Sequence, residues 1–137
     1  MSFCVLDCSA TMAWCPADEA TPKSNALLRE VGQHGAVVPT LWYWEVANVL
    51  TLAVRRGRIT VGDYSALQAM LEALQIQHDP AANHRAWTMA AQLAPQHDLS
   101  VYDAAYLDLA LLRSLPLATT HKALTKAART AGVALAL

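Results

Sequence analysis

The chain has 137 residues and a net charge of −1, which fits one domain with one core and excludes a generic polyanion binder. Apolar residues make up 55% of it and charged residues only 15%, so helices must be buried on more than one face and some apolar surface is expected to meet a partner. The three cysteines, Cys4, Cys8 and Cys15, are odd in number and lack CxxC spacing, so they read as small apolar residues in a reduced cytoplasm rather than as zinc ligands. No signal peptide is evident, and no uncharged apolar run approaches the ~18 residues of a membrane span. The expected setting is therefore cytoplasmic, without a membrane.

Phe3-Cys4-Val5-Leu6-Asp7 is a short apolar run ending in an acid, the pattern of a buried parallel strand. Ser9 is a candidate cap for a short helix holding Met12 and Trp14, and Pro16 with the polar residues 18–23 reads as a loop. A helix is expected over 24–33, then a strand at Ala36-Val37-Val38. Thr40 opens a long helix whose Val46, Val49, Leu50 and Ala53 recur at spacings of three and four, and Arg55-Arg56-Gly57 ends it. Thr60 caps a helix reaching about residue 74, residues 75–78 form the weakest strand, and Pro80 begins a helix to about residue 94. Ser100 opens an apolar helix to Arg113, and 115–119 is a strand with its proline near the start. A last helix covers 121–131, and Val133 to Leu135 make a final short strand. This alternation of strands and helices predicts a parallel sheet covered on both faces, with ligands bound beyond the carboxyl ends of its strands.

Asp7, Glu45 and Asp103 each stand as one carboxylate in an otherwise apolar stretch. A buried carboxylate is costly unless paired or bound to a metal, and several converging at one sheet edge would suit Mg²⁺ or Mn²⁺. Each also has a plainer reading. Asp7 could cap the next turn, Ser100 and Asp103 have capping-box spacing, and Glu45 lies near a helix start that favours acids. The chain has no P-loop, GxGxxG or GxSxG, and no local Cys–His pair.

Taken in order, VLDCS, PTLWYWEVANVL, SVYDAAYLDLAL and LATTHKAL resemble the motifs of PIN-domain nucleases, especially the VapC-type toxins of toxin–antitoxin pairs. The resemblance spans residues 5 to about 124. It implies a single PIN-like domain over 1–137, with a three-layer α/β fold in which a small parallel sheet is flanked by helices. It also implies a metal-dependent endoribonuclease that hydrolyses RNA phosphodiesters, working with Mg²⁺ or Mn²⁺. The implied partners are an RNA substrate, a cognate antitoxin lying in an apolar groove, and a second copy of the chain in a homodimer and a toxin–antitoxin hetero-oligomer.

Asp7 and Asp103 are then the main metal ligands, with Glu45 joining them directly or through water. Ser9, Asn48 and Thr119 are expected to orient these acids or to contact phosphate. One position departs from the pattern. Where the family carries a fourth acid, this chain has His121, whose neutral imidazole could still bind Mn²⁺. Asp108 is no substitute, because five residues place it about 140° around the helix from Asp103. Lys122, Lys126 and Arg129 share a helix face by spacing and could hold RNA phosphates. The His121 departure also leaves open a catalytically weak PIN-fold binding module acting through its antitoxin or oligomer.

Overall fold

A computed structural model describes residues 1–15, 20–81 and 83–137. Four short strands, β1 (Cys4–Leu6), β2 (Ala36–Val38), β3 (Ile76–His78) and β4 (Leu117–Ala118), form one sheet in the order β3-β2-β1-β4. Every pairing is parallel, with Cys4 opposite Ala36, Val5 opposite Leu117 and Ala36 opposite Ile76. All residues of β1 and β2 are buried. Because neighbouring strand residues point to opposite faces, both faces of the sheet are covered and the architecture has three layers. The edge strand β3 differs, since Gln77 and His78 are exposed, and this is why its sequence carries the weakest strand signal.

The intervening helices are α1 (Cys8–Met12), α2 (Pro22–His34), α3 (Leu41–Arg55), α4 (Val61–Ala73), α5 (Ala91–His97), α6 (Val101–Arg113) and α7 (Lys122–Ala131). Thr60 caps α4 in a reciprocal box with Asp63, and Ser100 caps α6, as the sequence suggests.

Several boundaries differ from expectation for local reasons. The cap of α1 is Asp7 rather than Ser9, because Asp7 Oδ1 accepts the Ala10 amide. Of the loop expected at 16–23, residues 16–19 lie outside the described residues. Its end is already helical, since Thr21 forms a capping box with Ser24 and Pro22 sits in the first turn, where its missing N–H costs nothing. The helix expected from Pro80 begins later, as a 3-10 turn (Asn83–Arg85) and a π turn (Ala86–Ala90), and runs on past Pro95 to His97. There Leu93 and Ala94 pack with Ala90 and Ala104, and that burial offsets the one hydrogen bond a proline removes. The strand expected at 133–135 is a single parallel bridge between Leu117 and Leu135.

α6 is the central helix. It packs on β1, β4 and α7, and Tyr106, Leu107, Leu109 and Ala110 are all buried. Its buried Asp108 accepts two guanidinium hydrogen bonds from Arg85, at 2.8 Å each, so this acid faces the 83–85 turn and is already paired. Arg113 similarly reaches Asp79, which follows β3, at 2.7 Å. No described helix is long and apolar enough to cross a membrane.

Gly35 joins α2 to β2 with φ +81°, and a Cβ there would stand 2.5 Å from the Gln75 carbonyl oxygen. That oxygen accepts the Ala36 amide at the start of the β2–β3 ladder. Gly35→Ala is therefore expected to lower unfolding stability by about 2 kcal/mol or more, read from urea denaturation midpoints.

Candidate metal centre

The site is built from the chain segments that leave the carboxyl ends of β1 and β4. Asp7 immediately follows β1, and its amide donates to Ala118 O of β4 at 3.1 Å. The side chain is only 4% exposed, so its charge must be satisfied from within. Oδ1 accepts Ser9 Oγ at 2.7 Å and the Ala10 amide at 2.8 Å, while Oδ2 accepts Thr119 Oγ1 at 2.5 Å. Ser9 and Thr119 also touch one another at 3.2 Å and receive the amides of Thr120 and His121 respectively. The sequence reading of Ser9 and Thr119 as neighbours of the acids thus corresponds to real contacts with Asp7.

Glu45 lies one turn into α3 and accepts the Tyr106 hydroxyl on Oε1 at 2.5 Å. Asp103 sits in the first turn of α6. Ser100 Oγ caps the Asp103 amide, but the Asp103 carboxylate is not turned back to complete a capping box. It faces His121 instead, with Oδ2 2.9 Å from Nδ1. Its role therefore exceeds that of a helix-start residue.

The three acids feel one another. Burial pushes the Asp7 carboxyl above its ordinary pKa. Hydrogen bonds from Thr119, Ala10 and Ser9 act the other way, and the Asp103 charge adds to the rise. Burial likewise raises Glu45, against the Tyr106 hydrogen bond and with the charges of Asp103 and Asp7. The Cys8 thiol is pushed up to about 12 by burial and then by Glu45 and Asp7, so it stays protonated and unreactive at neutral pH. Among the described residues no Lys or Arg forms an ion pair with any of the three acids.

The donors are all hard oxygens gathered without a compensating basic side chain, which is the chemistry a divalent cation of the Mg²⁺ type satisfies. As they stand, however, no group of three or more His, Cys, Asp or Glu among the described residues is closed tightly enough to hold an ion. The fit is to an open, hydrated site, since Mg²⁺ keeps several waters and takes only one or two carboxylates directly.

A family model for the PIN domain matches residues 4–130. The chain belongs to the PIN-domain family. No curated protein sequence matches it. Among solved structures, the crystal structure of PAE2754 from Pyrobaculum aerophilum is similar, with TM-score 0.66 and 21% identity over 92% of this chain and 86% of that one. At that identity the likeness is one of fold. PIN domains are generally metal-dependent nucleases that bind divalent ions.

Other expected residues are less engaged. Asn48 is exposed on this PIN domain and makes no hydrogen bond to Glu45. Lys122 and Lys126 are exposed on α7, together with Arg129. Two contacts escaped the sequence reading. Tyr106 follows Asp103 by three residues, which puts both on one helix face and marks a hydroxyl in an otherwise apolar helix. Thr11 donates to Asp7 O at 2.8 Å and accepts Trp42 Nε1 at 3.0 Å, tying α3 to the Asp7 backbone. No local pattern signals that pairing, because Trp42 reads as core.

The raised Asp7 pKa fixes a pH dependence. The folded state holds its proton more tightly than the unfolded chain does. Stability is therefore lost as pH rises from the unfolded carboxyl pKa through the higher folded one. Asp7→Asn keeps an N-cap oxygen and removes the charge. Metal-free Asp7→Asn should be more stable than the parent at pH 7, by on the order of 1 kcal/mol, in thermal or urea unfolding. The gain should vanish below the unfolded carboxyl pKa.

Proposed function

We propose that this chain is a metal-dependent endoribonuclease that acts as the toxin of a toxin–antitoxin pair. The observation that supports it most is the cluster of Asp7, Glu45 and Asp103 at the carboxyl edge of the sheet, whose charges raise one another's burial cost and which pair with no described Lys or Arg. In this reading Asp7 and Asp103 hold Mg²⁺ or Mn²⁺, with Glu45 joining directly or through water. The bound ion supplies an activated water and neutralises charge that builds on phosphate.

The chain's own residues do the rest. Ser9, Thr119 and the Ala10 amide fix the Asp7 carboxylate, and the Tyr106 hydroxyl fixes Glu45. Lys122 and Lys126, exposed on α7, would hold flanking phosphates, and exposed Asn48 would contact a phosphate one turn beyond Glu45. Burial of Asp7 strengthens the charge interactions at that end of the site, while half-buried Glu45 and Asp103 leave it open to solvent and substrate.

A partner is supported by the apolar surface that the fold leaves uncovered. Trp42, Val46, Leu50, Tyr64, Leu71 and Ile76 line a groove of about 340 Å³ between α3, α4 and β3. Its apolar lining suits the apolar face of a helix from an antitoxin. Trp44, Trp87 and Tyr102 are also mostly exposed, which favours a homodimer and a toxin–antitoxin hetero-oligomer. The second reading, a weakly catalytic binding module, is favoured by one contact: His121 already engages Asp103.

Purified, partner-free protein is expected to cleave RNA from a broad single-stranded pool with Mg²⁺ or Mn²⁺ and to lose activity in EDTA. Asp7→Asn should reduce the rate by at least about a hundredfold, since even groups that merely orient metal ligands contribute roughly 10–100-fold. Protein that binds the ion yet cuts no RNA would sink the nuclease reading in favour of the binding module.

A further inference from the structure

His121 begins α7, yet its side chain makes no capping bond to that helix. Its backbone is fixed from both directions. The amide donates to Thr119 Oγ1 at 3.0 Å, and that hydroxyl in turn donates to Asp7 Oδ2. The carbonyl accepts both the amide and the hydroxyl of Thr125, at 2.9 Å each. From this anchor the ring reaches across to α6, where Nδ1 meets Asp103 Oδ2. No other described residue gives the Asp103 carboxylate a hydrogen bond.

The oxygens left for an ion follow from these contacts. Tyr106 occupies Glu45 Oε1 and His121 occupies Asp103 Oδ2. Asp7 carries two donors on Oδ1 and one on Oδ2. Glu45 Oε2, Asp103 Oδ1 and the remaining lone pair of Asp7 Oδ2 stay open. An oxygen that accepts one hydrogen bond keeps a second lone pair, so these contacts orient Glu45 and Asp103 without closing either carboxylate to an ion.

We propose that His121 is a positioning residue that holds Asp103 through Nδ1 and so presents its other carboxylate oxygen to a hydrated divalent ion. This rests on the metal-dependent reading above, but not on RNA cleavage. The ring works through Asp103 rather than as a ligand.

The test is calorimetric titration of RNA-free protein with Mn²⁺, for the parent chain and for His121→Ala, His121→Asn and His121→Gln. The His121 side chain is 52% exposed, so these variants should melt within a few degrees of the parent, which a thermal scan checks. The parent should bind Mn²⁺. His121→Ala should bind it roughly tenfold more weakly. His121→Asn, whose amide N–H stands near the position of Nδ1–H, should recover most of the affinity, and His121→Gln should not.

Recovery by Gln instead of Asn would make the ring a ligand through Nε2 and overturn the proposal. So would an unchanged affinity in His121→Ala. No Mn²⁺ binding by the parent would remove the metal reading together with it. Mn²⁺ binding, the Asn rescue and no RNA cleavage would leave the role of His121 standing while the nuclease reading falls.

Discussion

A carboxylate buried at the end of the central strand governs the rest of the structure. Asp7 is almost wholly shut away from water, and an unsatisfied charge there would cost several kcal/mol. Three donors, Ser9, the Ala10 amide and Thr119, meet it. Each comes from a structural commitment. The amide exists because α1 starts at once after β1, and Thr119 is present because β4 pairs with β1 in a fixed parallel register. Slipping that register by one residue would withdraw Thr119 and turn β4 inside out. The requirement to satisfy one charge thus fixes the β1–α1 junction and the β1–β4 pairing together.

Around that anchor, the fold collects acids that it does not neutralise. Glu45 arrives on α3 and Asp103 on α6. The Asp103 charge adds to the burial cost of Asp7, and the charges of Asp103 and Asp7 add to that of Glu45. By contrast, the acids elsewhere that are buried, Asp108 and Asp79, are each matched by an arginine. The molecule therefore makes ion pairs where it needs only stability and withholds them at one sheet edge. A stabilising counter-charge is missing where a soluble cation could supply it, which is the usual cost of keeping a site ready. The neutral donors at this edge, Ser9, Thr119 and Tyr106, orient the carboxylates without cancelling their charge.

The composition finds its explanation in the same layers. A three-layer fold buries β1 and β2 on both faces and buries the middle of α6, which absorbs much of the apolar excess. What remains outside is concentrated in aromatic side chains, Trp44, Trp87 and Tyr102, and in the groove between α3 and α4. Arg85 and Arg113 meanwhile bind the irregular segment after β3 to α6 and hold that edge in place.

The sequence by itself determined the element order, the parallel class and the three acids. Alternating apolar runs and helical periodicity are local signals, and an acid inside an apolar run stands out wherever it lies. It also placed the caps at Thr60 and Ser100, because a cap is decided by residues three positions apart. Tertiary structure alone decided what each acid does. Asp7 turned out to be both a helix cap and a buried member of the cluster, Asp103 turned from its cap toward His121, and Asn48 stayed away from Glu45. It also decided that Tyr106 would donate a hydrogen bond to Glu45 and Trp42 one to Thr11, and that a helix would run through Pro95. These outcomes depend on partners up to 112 residues away, as for Asp7 and Thr119, and on burial that only packing creates. A hydrogen bond across the sheet edge has no sequence period, so nothing local announces it.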